Sequence, residues 1–170
     1  MMVSIIIPTY NRPALLQRAV ASALAACPGD GEVIVVDDRS DTAVKALRDV
    51  HDHPRIRILT NTGDKGAAGA RNHGVAQALG EIIMFLDDDD VMVADYPARV
   101  LNAESQGADW GFSSRHFVNG TGAIVKISAE SEGRLVPKNT PLQKQIAAFS
   151  AGRLIPLSPE ALYIVLYKTP

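Results

Sequence analysis

The chain has 170 residues, 46% of them hydrophobic and 21% charged, and a formal net charge of −2. That length suffices for one domain with a real core, and the near-neutral balance gives no general attraction to nucleic acid, which is not an expected partner. A lone cysteine, Cys27, excludes an internal disulfide and points to a reducing compartment.

The longest apolar runs, EVIVVDD and EIIMFLD, are strand-sized. They fall well short of the ~20 residues of a membrane span. MMVSIIIP lacks the basic start of a secretory signal. The expectation is a cytoplasmic protein, with attachment at the inner face of a membrane left open.

In chain order, VSIIIPTY is a β-branched run ended by Pro8, the pattern of a strand buried on both faces. NRPALLQRAVASALAAC follows as an amphipathic helix, with Asn11 as cap, Pro13 in the first turn and Leu16, Val20 and Leu24 along one face. EVIVVDD is a second buried strand. SDTAVKALRDV reads as a second helix through Val44, Leu47 and Val50, and RIRILT as a third strand. GAAGARNHGVAQALG is a glycine-rich start to a third helix, with Gly80 as its expected C-terminal cap. EIIMFL is a fourth strand, and it runs into four aspartates, Asp87 to Asp90.

Strands alternating with helices predict an α/β fold: an open, mostly parallel sheet with helices on both faces. In such sheets ligands bind at the C-terminal ends of the strands. PTYNR, DDRS, NTGDKGAAGARN and the aspartate run each follow a strand, so all four are expected at that edge.

Beyond residue 90 the pattern changes. DYPARVLNAESQG reads as a helix. ADWGFSSRHFV and AIVKIS read as strands joined by the turn NGTG. Residues 128–140 read as a polar loop, and TPLQKQIAAFSAG as a helix with Thr140 and Pro141 at its start. The tail LSPEALYIVLYKTP fits either a helix or a strand. NGT at 119–121 also matches a glycosylation acceptor, but a hairpin turn is the expected role.

Four adjacent carboxylates repel one another, so a cation is the expected occupant. Mg²⁺ and Mn²⁺ prefer carboxylate oxygen and often bind through one or two carboxylates plus substrate phosphates. In an extended chain Asp87 and Asp89 project to one side and Asp88 and Asp90 to the other. The bland alternative is a solvated acidic loop. GDKGAAGARNHG matches neither the P-loop nor G-x-G-x-x-G. Lys65 and Arg71 bring cations to it, although Arg71 could equally serve as a structural partner of Asp37 or Asp38. His73 is expected to be an exposed helical residue.

On these motifs the chain resembles the N-terminal, nucleotide-sugar-binding part of family-two glycosyltransferases with the GT-A fold. VSIIIPTYNR, VIVVDDRSD, NTGDKGAAGARNHGVAQALGE and IIMFLDDDD stand in the family's order over residues 2–95. The resemblance implies a Rossmann-like GT-A architecture, with residues 1–95 as the nucleotide-sugar-binding half and 96–170 as the start of an acceptor-side half. It implies a nucleotide-sugar donor, UDP-linked first, held by Pro8, Thr9, Tyr10, Arg12, Asp38, Gly66, Arg71, Asp87 and Asp88. Tyr10 would lie against the base, Asp38 would hydrogen-bond the base edge, and Arg71 would support the base pocket or diphosphate. Asp87 and Asp89 would form the family's D-x-D signature around Mn²⁺ or Mg²⁺, with Asp87 toward ribose or metal-bound water, Asp89 directly on the metal and Asp88 in the variable middle position.

The resemblance further implies sugar transfer to an acceptor hydroxyl with inversion, the acceptor being a carbohydrate, a lipid or another alcohol. The family's general base is a carboxylate well downstream of D-x-D. None of the late acids, Glu130, Glu132 or Glu160, stands in its motif, so the expectation is a chain incomplete at its C-terminus, prone to form a homo-oligomer. Two other readings compete. A sugar-1-phosphate nucleotidyltransferase would want a glycine-rich loop after the first strand, where PTYNRPALL has none. A nucleotide-sugar-binding module without its catalytic half is the non-enzymatic reading.

Overall fold

In the computed structural model the described residues are 1–41 and 52–106, together with the backbone of six later strands. The chain divides into two compact units, Met1–Pro97 with Tyr167–Pro170, and Ala98–Leu166.

The first unit is built on four parallel strands: β1 (Val3–Thr9), β2 (Glu32–Asp37), β3 (Ile56–Thr60) and β4 (Ile82–Phe85). Their spatial order is β3-β2-β1-β4. Every residue of β1, β2 and β4 is buried, as their unbroken apolar runs predict for a sheet covered on both faces. Helix α1 (Pro13–Ala26) connects β1 to β2, and α2 (Ala67–Gln77) connects β3 to β4. The two crossovers step in opposite directions across the sheet. Right-handed connections therefore place the helices on opposite faces.

On one face Ile6, Ile34, Val36, Ile83 and Phe85 form a core with Ala70 and Ala78, flanked by Leu59 and Val75. Helix α1 buries Leu16, Ala19, Val20 and Ala23. The guanidinium of Arg55 donates to the Cys27 and Pro28 carbonyls at 3.1 and 2.9 Å, satisfying groups at the C-terminal end of α1. Burial lifts the Cys27 thiol to about 11 despite the nearby Arg55 charge, so it is no nucleophile at neutral pH.

At the N-terminal edge of the sheet, Glu32 is buried but fully engaged. It accepts from Ser4 Oγ and the Leu79 N–H at 2.7 Å each, and from Arg57 at 2.9 Å.

Several local expectations change. Asn11 does not cap α1: Arg12 holds that position, and Asn11 sits in a left-handed turn with φ 54°. Its amide instead exchanges hydrogen bonds with Asp41, which laces the loop after β1 to the loop after β2. Gly80 does not cap α2, which closes at Ala78. A Cβ on Gly80 would stand 2.6 Å from the Ser4 nitrogen, so close backbone approach is its reason for being glycine. The helix expected over SDTAVKALRDV, residues 40–50, lies from residue 42 onward outside the described residues.

The second unit holds α3, which begins in the first (Tyr96–Ser105), and short antiparallel strands. They are β5 (Ala108–Phe112), β6 (His116–Val118), β7 (Ile124–Ile127), β8 (Arg134–Pro137), β9 (Ile155–Pro156) and β10 (Val165–Tyr167), whose last residue belongs to the first unit. β6 and β7 pair antiparallel across the NGTG segment, as the turn signal predicts. β8 lies inside the stretch read as a polar loop: Leu135 and Val136 carry strand pairing that the surrounding polar residues obscured. β10 decides the ambiguous tail in favour of strand over Val165–Tyr167. The helix expected over residues 140–152 lies outside the described residues.

Candidate donor-binding site

The parallel register brings the strand ends level. Thr9 stands opposite Asp37, and Asp37 opposite Thr60. Backbone pairing runs one step beyond each strand, with Asp38 N–H donating to the Thr9 carbonyl and Asn61 N–H to that of Asp37. Strand order reverses between β1 and β4, which makes a switch point. Such points open a crevice at the carboxyl ends of the strands.

A cavity of about 730 Å³ occupies this position. Its lining is Pro8, Thr9, Tyr10, Arg12, Asp38, Lys65, Gly66, Ala67, Arg71, Asp87, Asp88 and Asp89. Every residue singled out from the sequence for donor or metal is therefore brought to one place. The size suits a small-molecule ligand.

The aspartate run does not stay extended. Asp90 N–H donates to the Asp87 carbonyl at 3.1 Å, so the chain turns through Asp88 and Asp89. Within the turn, Asp88 and Asp89 take different environments. Asp88 points inward: its side chain is 9% exposed and accepts from Thr9 Oγ1 at 2.7 Å. Asp89 points out, 51% exposed. Arg12 Nη1 bridges the two, 3.3 Å from Asp88 Oδ1 and 3.0 Å from Asp89 Oδ2. Arg71 forms its ion pair with Asp87, not with Asp37 or Asp38. Both of its expected structural partners are satisfied elsewhere, Asp37 by Ser40 and Asp38 by the glycine-rich loop.

Asp38 is buried, and both of its oxygens are engaged. One accepts from Asn61 Nδ2 at 2.6 Å, the other from the Gly66 N–H at 2.7 Å. A carboxylate has about four lone-pair positions, so each oxygen can still accept from a ligand. Gly66 makes its contact at φ 109°, a conformation few side chains tolerate. At Gly69 a Cβ would lie 1.8 Å from the Asp64 carbonyl oxygen, so the loop folds directly over the first turn of α2. No side chain caps that helix end, leaving first-turn N–H groups and the positive end of the dipole at the cavity wall.

Tyr10 is 42% exposed at the cavity mouth, and the Lys65 ammonium lies 5.1 Å from its ring centroid. Asn61 and Ala67 were missed from the sequence. Asn61 was findable, because a polar residue directly after β3 must reach the same edge. His73 is half-buried rather than exposed, within 3.3 Å of Thr62 Oγ1. The late acids Glu130, Glu132 and Glu160 lie outside the described residues.

Among the described residues no group of three or more His, Cys, Asp or Glu side chains clusters to hold a metal unaided. Asp87 and Asp89 nevertheless both line the cavity and offer it hard oxygen donors. That donor set fits Mg²⁺ or Mn²⁺, which take few protein carboxylates when a substrate phosphate completes the shell.

Comparison with known proteins gives a consistent picture. Residues 4–148 match the family described as Glycosyl transferase family 2. The GalNAc(5)-diNAcBac-PP-undecaprenol beta-1,3-glucosyltransferase of Campylobacter jejuni is 34% identical over 148 residues, 84% of this chain and 46% of that protein. Among solved structures, S. aureus TarS 1–349 in complex with UDP aligns with a TM-score of 0.61 at 26% identity, covering 72% of this chain and 38% of that one. The mannosyltransferase PcManGT of Pyrobaculum calidifontis, in complex with GDP-Man and Mn²⁺, aligns with a TM-score of 0.55 at 25% identity, covering 68% and 35%. The chain spans less than half the length of the curated relatives it matches.

Proposed function

The chain belongs to glycosyl transferase family 2, and on that premise we propose that it binds a nucleoside-diphosphate sugar, UDP-linked by preference, with Mn²⁺ or Mg²⁺, and donates the sugar to an acceptor hydroxyl with inversion. One observation carries the reading. A single cavity at the switch point holds a partly exposed tyrosine ring, an uncapped helix N-terminus, three cationic side chains and the hard-oxygen donors of Asp87 and Asp89.

Each part of the ligand has a matching wall. The base stacks on Tyr10, in the place where Lys65 lies over the ring. The base edge donates to Asp38, whose geometry is held by Asn61 and Gly66. The diphosphate faces the α2 N-terminus, Arg12 and Arg71. Asp89, with Asp87, would hold the cation, which when bound would offset the diphosphate charge and stabilise the leaving phosphate oxygen.

In the transfer, the acceptor oxygen bonds to the anomeric carbon as the bond to the β-phosphate oxygen breaks. The hydroxyl proton passes to a carboxylate base, and a nucleoside diphosphate leaves. The four acids that line the cavity, Asp38, Asp87, Asp88 and Asp89, are committed to other partners, so none of them is assigned as the base.

The acceptor proposed is a saccharide on a lipid carrier, supported by the undecaprenol-linked acceptor named for the Campylobacter relative. Among the described residues no helix is long and apolar enough to cross a membrane. The nucleotidyltransferase reading finds no support: β1 leads through Tyr10, Asn11 and Arg12 straight into α1, without a glycine-rich phosphate loop.

The test is an equilibrium titration of UDP, GDP, ADP and CDP, each with and without Mn²⁺. UDP with Mn²⁺ should bind tightest, and Asp38→Ala should flatten the ranking. A lost hydrogen bond in a dry site costs about 1–3 kcal/mol, enough to reorder the nucleotides. If ADP binds best, or Asp38→Ala leaves the order intact, the base-pocket assignment fails.

A further inference from the structure

We propose that Arg12 is a placeholder for the divalent cation: in the unliganded protein its guanidinium holds the position on Asp89 that the metal must take over. The inference rests on the metal-bridged donor site proposed above and concerns how that site is loaded.

Arg12 touches two carboxylates of opposite character. Asp88 is fixed, because it is buried and Thr9 Oγ1 holds its second oxygen at 2.7 Å. Asp89 is half-exposed, as is Arg12 itself at 52%, and Arg12 is the partner that neutralises it. The Arg12–Asp88 contact therefore acts as a pivot, and the Arg12–Asp89 contact, 3.0 Å long and open to water, is the exchangeable one. Asp87 is covered in the same manner by Arg71, with both side chains about a third exposed. Two arginines thus supply positive charge that lets consecutive aspartates stand together at a strand end before any metal arrives. A cation approaching Asp89 meets a guanidinium already there, and it must displace that charge and then bind beside it.

Removing the guanidinium should therefore strengthen binding of the bare cation, the reverse of what deleting an ordinary site residue does. The experiment is a Mn²⁺ titration followed by electron paramagnetic resonance, at low ionic strength and without nucleotide. It compares wild type, Arg12→Gln, Arg12→Met and Arg18→Gln, with urea midpoints confirming that each is folded. Arg18 is an exposed arginine of α1 outside the cavity, so its loss changes net charge equally. Both Arg12 variants should bind Mn²⁺ about three- to tenfold tighter than wild type, and Arg18→Gln should not. The proposal is overturned if Arg12 variants bind Mn²⁺ equally or more weakly, if Arg18→Gln tightens it as much, or if none of the proteins binds Mn²⁺. A parallel arm measures UDP binding with Mn²⁺ in Asp89→Asn. If that variant keeps the full metal dependence, the metal site itself is wrong. If it loses the dependence while Arg12 variants leave Mn²⁺ affinity unchanged, only the role of Arg12 falls.

Discussion

Adjacent aspartates in the same run should fail in different ways. Asp88→Ala removes the buried bond from Thr9 Oγ1, 2.7 Å long, and the 3.3 Å contact with Arg12. A hydrogen bond to a charged group contributes about 1.5–3 kcal/mol. The Arg12 contact, half in water, adds roughly 0–1 kcal/mol. The expected loss is about 1.5–4 kcal/mol. Asp88→Asn keeps an acceptor for Thr9 and should lose about 1 kcal/mol. Asp89→Ala gives up only a half-exposed ion pair and should stay within about 0.5 kcal/mol of wild type. Urea unfolding followed by circular dichroism measures all three, provided the slopes agree. The reasoning is refuted if Asp88→Ala matches wild type, or if Asp89→Ala is as destabilised as Asp88→Ala.

Gly69→Ala should cost about 1–3 kcal/mol, because its Cβ would strike the Asp64 carbonyl and push the glycine-rich loop outward; an unchanged urea midpoint would contradict the close approach. Glu32 gives a pH signature. Burial alone would raise its carboxyl, but the bonds from Ser4 and Leu79 N–H and the Arg57 guanidinium outweigh that and hold it below the ordinary 4.5. The stability it contributes is complete above the ordinary value and disappears as pH falls through the lowered folded-state value. Wild type should therefore lose more stability than Glu32→Gln between about pH 6 and about pH 3, and parallel urea midpoints across that range would contradict the assignment.

The sheet was legible because its strands are buried on both faces. Runs such as SIIIP and VIVV leave no polar side for water, and only a parallel sheet between helices accommodates several of them. The same logic located the site, since every motif of interest follows a strand. Three things stayed hidden. The turn at Asp87–Asp90 depends on one backbone hydrogen bond, and no residue type in a run of identical aspartates announces it. The Thr9–Asp88 pair joins residues 79 apart, visible only once β1 and β4 are neighbours. Asn11 is a residue type suited to a helix cap, but Asp41 in the loop after β2 competes for its amide and wins. Past residue 107 the strands are short and mixed with polar residues, so local pattern is weakest where β8 and β10 form.

Asp89 is the exposed carboxylate assigned to hold the cation. Calorimetric titration of UDP into wild type and Asp89→Ala, each with and without Mn²⁺, isolates the metal-dependent part of binding. Wild type should gain affinity when Mn²⁺ is present, and Asp89→Ala should lose that gain while keeping the wild-type urea midpoint. The same Mn²⁺-dependent gain in a fully folded Asp89→Ala protein would contradict the metal-bridged donor site.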